Sequence, residues 1–142
     1  MKISTKGRYG LRLMVFLAKK YQKGNVTLKE ISRDQDISEK YLEQIINPLT
    51  KAGLVTGFRG SQGGYTLRLD PNDISVGTIL RILEGSLGPV DCVNTETFSC
   101  PRVDSCASIS LWKQIKDAVE NIVDNTSLAD LVKDAEENHA VI

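Results

Sequence analysis

The sequence predicts a mainly α-helical domain with one small β-hairpin, followed by a long separate helix. Three observations carry that prediction. Two short amphipathic segments, each opened by a hydroxyl residue suited to capping, stand on either side of a brief "DIS" connection. Two alternating apolar runs then flank "GSQGG", which supplies glycines where a hairpin loop needs positive φ. A long apolar stripe at helical spacing follows a stretch from Ser86 to Ser105 that has little periodicity. A hairpin placed directly after two such helices is a wing, so residues 1–85 read as a winged helix-turn-helix.

The first helix is expected from about Thr5 to Tyr21, with Tyr9, Leu13, Phe16 and Leu17 on one face and Met14 and Val15 widening it. Gly24 and Asn25 end it. Thr27, with Glu30 three residues later, is a capping box in which each side chain satisfies the other's orphan backbone donor. The helix it opens turns Leu28 and Ile31 inward and stops near Asp36. Ser38 caps "EKYLEQIINPLTKA", whose buried face is Leu42, Ile45, Ile46 and Leu49 and whose stop is Gly53. Pro48 is expected to bend this helix, because it has no donor to reach back to Gln44. Strands follow from Leu54 to Arg59 and Tyr65 to Leu69, then a helix from Ser75 to about Glu84 with Gly85 as its end. Gly88, Pro89 and Pro101 keep the next stretch a loop. Beyond it, Leu111, Ile115, Ala118 and Ile122 form one helical row and Trp112, Val119 and Val123 the adjacent one. Ser127 begins a last short helix, "LADLVKDAEE", and the tail past Asn138 is expected to fray.

With 142 residues, 25% charged and 41% hydrophobic, the composition is that of a soluble domain able to bury a core. The one apolar stretch near the amino terminus is interrupted by Arg12, falls far short of the roughly 18 residues a membrane span needs, and precedes no small-residue cleavage site. A cytoplasmic protein with no membrane association is expected. The net charge of zero hides an asymmetry: through Asp70, thirteen lysines and arginines against six acids give +7, leaving −7 for the rest. A basic half beside an acidic one suits a polyanionic partner, and a plain solvated surface can have the same balance.

The second helix of a helix-turn-helix lies in the major groove with its amino-terminal residues toward base edges. Behind the Ser38 cap, Glu39, Lys40, Tyr41, Glu43 and Gln44 are expected to face outward. Gln44 suits adenine, Glu43 can accept from the cytosine amino group, and Lys40 and Tyr41 can hold phosphate or a guanine edge. Glu43 is the informative residue, since an acid facing phosphates repels unless it meets a base donor. Arg59 with Gly60, Ser61 and Gln62 gives the wing an arginine beside exposed amides, a combination suited to a narrow minor groove. Lys6 and Arg8 stand at the start of the first helix, where the dipole favours phosphate. The winged unit cannot cover the long stripe without blocking its own DNA face. A second copy is the simpler cover, through Leu111, Trp112, Ile115, Val119 and Ile122. No paired nucleophile and base and no glycine-rich phosphate loop is present, which argues against an enzyme.

All three cysteines lie in "CVNTETFSCPRVDSC". In a reducing compartment, clustered thiols more often bind metal or do redox chemistry than staple a fold. Zinc accepts such ligands, but its tight Cys-x-x-Cys spacing is absent. A thiol-disulfide sensor needs only two of the sulfurs to meet. Arg102 and Lys113 would favour a thiolate, while Asp91 and Asp104 oppose it.

Taken together, "MKISTKGRYGLRLMVFLA", "ISEKYLEQIINPLTKAGLV", "RGSQGGYTLRLDPNDISVGTILRILEG" and "SLWKQIKDAVENIVDNTSLADLV" resemble the Rrf family of bacterial winged-helix regulators, from Met1 to about Val132. The cysteine triplet looks like that of family members that regulate iron-sulfur cluster biogenesis or sense nitric oxide; the cysteine-metabolism repressors share the framework without it. The resemblance implies a homodimer, a double-stranded DNA operator, and an iron-sulfur cluster on Cys92, Cys100 and Cys106, with 2Fe-2S favoured over 4Fe-4S. The spacing departs from the pattern. Seven residues separate the first pair and five the second, where the better-known members have five in both gaps, and Ile109 occupies a position that 2Fe-2S members give to histidine. The sole histidine, His139, lies in the tail. Candidates for the fourth ligand are Glu43, Asp91, Glu96, Asp104, Ser108, Ser110 or a residue of the second subunit. Glu43 is favoured, because a carboxylate held by a cluster would be withdrawn from DNA.

The expected organisation is therefore a DNA-binding domain at 1–85, a cluster-binding loop at 86–106, and a dimerisation helix with C-terminal helix and tail at 107–142. The expected function is cluster-sensing repression of iron-sulfur cluster biogenesis genes, with cluster-delivery proteins as further partners. The alternatives are a nitric-oxide- or thiol-sensing repressor of the same family, or a cysteine-metabolism regulator acting with a partner enzyme.

Overall fold

Hydroxyl side chains open each helix of the head. In the computed structural model, which describes residues 2–94 and 100–138, α1 (Thr5–Lys19), α2 (Leu28–Gln35), α3 (Glu39–Lys51) and α4 (Val76–Glu84) follow Ser4, Thr27, Ser38 and Ser75. Each of these oxygens accepts from a first-turn amide, namely that of Gly7, Glu30, Tyr41 and Thr78. At α2 only the Thr27 half of the expected box forms among the described hydrogen bonds. The complete box opens α6 (Leu128–Glu137), where Ser127 and Asp130 satisfy each other's donors. Asp36 ends α2 in the left-handed region at φ 54°, a conformation that aspartate tolerates better than most residues. Pro48 lies inside α3, which continues to Lys51. The helix end after Pro48 stays bonded, with the Ala52 amide donating to the Pro48 carbonyl at 3.0 Å.

Strands β1 (Val55–Phe58) and β2 (Gly64–Leu67) pair antiparallel, with Val55 opposite Leu67 and Phe58 opposite Gly64. They are shorter than the alternation suggests. Val26 extends the ribbon by one rung: its amide donates to the Tyr65 carbonyl at 2.9 Å and its carbonyl accepts from the Tyr65 amide at 2.7 Å. The core lies between α1, α3, α4 and α6, where Leu13, Met14, Leu17, Leu42, Ile45, Ile46, Leu49, Ile79 and Leu128 are at most 1% exposed. Helices α1 and α4 meet closely because Gly10 carries no side chain, since a Cβ there would fall 2.1 Å from Leu83 Cδ1.

The connection after α4 holds two short 3-10 turns, Asp91–Val93 and Val103–Ser105, and is pinned by buried Leu87 and Val93. The expected irregular loop is thus partly ordered. Glu96 and His139 lie outside the described residues, as does the tail expected to fray. Helix α5 (Ile109–Asp124) has no buried residue. Leu111 is 50% and Ile122 65% exposed. Val119 and Val123 instead pack on the small cluster of Val76, Leu80 and Leu87. Val119, expected at a dimer seam, therefore faces the chain's own head. After α5 the chain returns to that head, where the Val76 amide donates to the Thr126 carbonyl and the Leu128 amide to the Ile74 carbonyl, both at 2.8 Å. Helix α6 then packs along α1. No helix among the described residues is long and apolar enough to cross a membrane.

Candidate nucleic-acid interface and cysteine loop

Helix α3 divides its residues cleanly. Leu42, Ile45, Ile46 and Leu49 are buried, while Glu39, Lys40, Glu43 and Gln44 stand exposed behind the exposed Ser38 cap. Asn47 shares the exposed face. Its spacing of four from Glu43 is the signal by which sequence alone would have found it. Tyr41 departs from expectation. Its ring is half-buried and packs edge-on against Tyr9, with centroids 5.8 Å apart and planes at 85°. An aromatic ring gains more from that contact than from solvent, which accounts for its partial burial. Arg8 and Arg12 flank the same tyrosine, their guanidinium carbons 5.9 and 5.2 Å from the Tyr9 centroid.

The position of α3 rests on contacts that no local pattern reveals. Arg12 donates to the Gln35 side chain at 2.9 Å and to the Gln35 backbone carbonyl at 2.6 Å, closing the end of α2 onto α1. The turn between α2 and α3 is thereby fixed from outside. At the wing tip Arg59, Gly60, Ser61 and Gln62 are all exposed. Gly60 adopts φ +92°, and the Gly63 amide donates to its carbonyl at 2.9 Å. Asn25, placed by sequence only as the end of the first helix, donates its side-chain amide to the Gln62 carbonyl at 2.8 Å. This ties the wing tip to the segment that follows α1. Of the amino-terminal cations, Arg8 is exposed and Lys6 half-buried. The head therefore presents α3, the wing and the start of α1 as polar, partly cationic surfaces on a rigid core.

The three cysteines are half-exposed and unpaired. Cys92 sits in the first 3-10 turn, which packs against α5, and Cys106 follows the second, two residues before the Ser108 that precedes α5. The Cys106 thiol is held below its ordinary value chiefly by the Ser108 hydroxyl, 3.5 Å from the sulfur. The Ser108 and Ile109 amides at the head of α5 add to this. Hydrogen bonding, rather than the expected Arg102 or Lys113, is the cause. Cysteine sulfurs are soft donors of the type that iron-sulfur chemistry requires, so the residue types, though not their spacing within one chain, suit a sulfur-held metal group. Among the described residues no three His, Cys, Asp or Glu side chains stand close enough together to share one ion. Helix α3, which carries Glu43, packs on α1, α2, α4 and β1, whereas the Cys92 turn packs on α5. One chain thus does not bring Glu43 to the thiols.

Comparison with known proteins agrees with this architecture. A profile of the Rrf2 family, described as iron-dependent transcriptional regulators, matches residues 3–134. The transcriptional regulator CymR of Bacillus subtilis is 47% identical over 92% of this chain and 89% of its own length. The IscR regulator of Aliivibrio salmonicida is 38% identical over 96% of this chain and 80% of its own. The solved structure of T. potens IscR is 45% identical, covers 97% of this chain and 90% of that one, and superposes with a TM-score of 0.78. With a capped helix-turn-helix, a tethered wing and similarity along nearly its whole length, the chain belongs to the Rrf2 family of transcriptional regulators.

Proposed function

We propose that this regulator is a cytoplasmic homodimeric repressor that reads a paired DNA site and responds to an iron-sulfur cluster held by Cys92, Cys100 and Cys106. One observation carries the reading. All three thiols fall in the connection between a DNA-reading head and a helix that leaves Leu111 and Ile122 uncovered within its own chain. A ligand at that junction acts on both at once, and it shifts the reading heads only by binding one arrangement better than another. Such a cluster would supply redox sensitivity and a labile corner, and 2Fe-2S is the type favoured. Glu43 of a second subunit is the proposed fourth ligand. Iron-sulfur cluster biogenesis genes are the proposed targets, and cluster-delivery proteins the further partners.

The test is anaerobic purification followed by absorption and Mössbauer spectra, with operator affinity measured before and after removal of the group. A cluster lost on combined Cys92→Ala, Cys100→Ala and Cys106→Ala substitution, with altered operator affinity, is the expected result. A second reading follows from the stabilised Cys106 thiolate, which also suits a thiol sensor. An iron-free protein whose DNA affinity changes with oxidant, and recovers with reductant, would favour that reading. Similarity to CymR leaves regulation of cysteine metabolism with a partner enzyme as the remaining alternative, detectable as co-purification of that enzyme with the metal-free protein.

A further inference from the structure

Helix α5 meets the head through an apolar contact, a backbone clip and two ion pairs to Arg81. The apolar contact, Val119 and Val123 on Val76 and Leu80, has no direction. The clip joins Val76 to Thr126 beyond the helix end. The pair with Asp124 is different: Arg81 Nη1 donates to Asp124 Oδ1 at 2.6 Å and Nη2 to Oδ2 at 2.9 Å, the parallel two-bond arrangement that fixes orientation as well as distance. Glu120, one turn earlier on α5, lies 3.6 Å from the same guanidinium and 3.7 Å from Lys116.

Gly77 explains how the pair fits. A Cβ at that position would lie 2.0 Å from Asp124 Oδ1 and 2.9 Å from Arg81 Nη1, so the carboxylate occupies the space a side chain would take. Gly77 sits within α4 and is not among the positive-φ glycines, so its value is the room it leaves rather than its backbone freedom. Arg81 is 37% and Asp124 42% exposed, and ion pairs this open add little to stability. A contact that is geometrically strict and energetically slight acts on shape. Helix α4, which carries Arg81 and Gly77, packs directly on α3.

We propose that the Arg81–Asp124 pair seated on Gly77 is the joint that sets the angle between the DNA-reading head and α5, and hence the half-site spacing that the paired protein accepts. The proposal rests on the dimeric DNA-reading function above. The lever is long enough to matter. The 16 residues of α5 span about 24 Å, so a tilt of about 10° at one end moves the other by about 4 Å, comparable with the roughly 3.4 Å rise of one base pair.

The experiment uses full-length protein and the inverted repeat that the wild type selects from random-sequence duplex DNA. Spacers are then lengthened and shortened by one base pair. Wild type is expected to lose on the order of tenfold in affinity at each altered spacing. Asp124→Ala and Gly77→Ala are expected to flatten that dependence to within about threefold, with unchanged oligomeric state by light scattering. Gly77→Ala keeps both charges and favours the helix, so its effect cannot come from lost charge or a weakened α4. Equally sharp spacing dependence in both variants would overturn the joint while leaving the DNA-reading function intact. So would an affinity loss uniform across all spacings. Selection of no paired half-sites by the wild type would overturn the DNA reading and the joint with it.

Discussion

Gln44 and Arg59 stand on different surfaces of the head and should fail differently. With Gln44 proposed to contact a base edge, Gln44→Ala is expected to cost about 1–3 kcal/mol at one operator position, with the salt dependence unchanged. Arg59→Ala, if the wing arginine meets the phosphates flanking the minor groove, should weaken all sequences alike and reduce the salt slope by about 1. Anisotropy titrations against single-base operator variants over a salt series separate the two, and matching profiles would refute the assignment. At this scale the outward set on α3 was legible because its spacing from the apolar positions dictates which way each residue faces. Tyr41 was not, because its ring found Tyr9 on another helix. The Arg12 clamp on Gln35 was hidden for the same reason, since 23 positions separate the two residues.

Among the elements, the wing carries the sharpest constraint. Gly64 adopts φ +135°, and a Cβ there would lie 2.7 Å from the Val26 carbonyl oxygen, which is backbone and cannot swing aside. Gly64→Ala is therefore expected to break the Val26–Tyr65 rung at a cost of about 1–3 kcal/mol. Hydrogen exchange should show the Val26 and Tyr65 amides becoming fast while those of Ile45 and Ile46 stay protected. Helix existence and order followed from capping residues and period, with ends correct to within a turn. Strand lengths did not, because pairing rather than alternation decides where a ladder stops. The rung at Val26 had no local signal, since the apolar residue sits between Asn25 and the Thr27 cap.

For the molecule as a whole, two carboxylates link acidity to stability, weakly because both are open to solvent. The Asp124 carboxyl is held below its ordinary value of 3.8 by the Arg81 hydrogen bonds, and Asp130 by the Ser127 amide and hydroxyl. A depressed carboxyl stabilises the fold above its unfolded pKa and loses that contribution as pH falls through the folded one. Melting temperature should thus decline more shallowly below about pH 4 in the double variant Asp124→Asn, Asp130→Asn than in the wild type. The exposed α5 residues give a second prediction at this scale. Leu111→Lys with Ile122→Lys should yield a monomer by light scattering, with head helicity retained and operator affinity lowered by about 100-fold as the second reading head is lost. The return of α6 into the core was legible only as a helix, because Leu128 gives no sign in sequence of which apolar surface it will enter.

A helix with no fully buried side chain leaves part of its order to be settled by abundance. At 16 residues α5 is near the length at which an isolated helix is marginal in water. If a second copy completes it, the competent species grows with the square of the chain's concentration where monomer predominates. Halving the supply of the chain would then cut that species roughly fourfold in that regime. Gene dosage would reach the operator through the exposed Leu111 and Ile122 of α5.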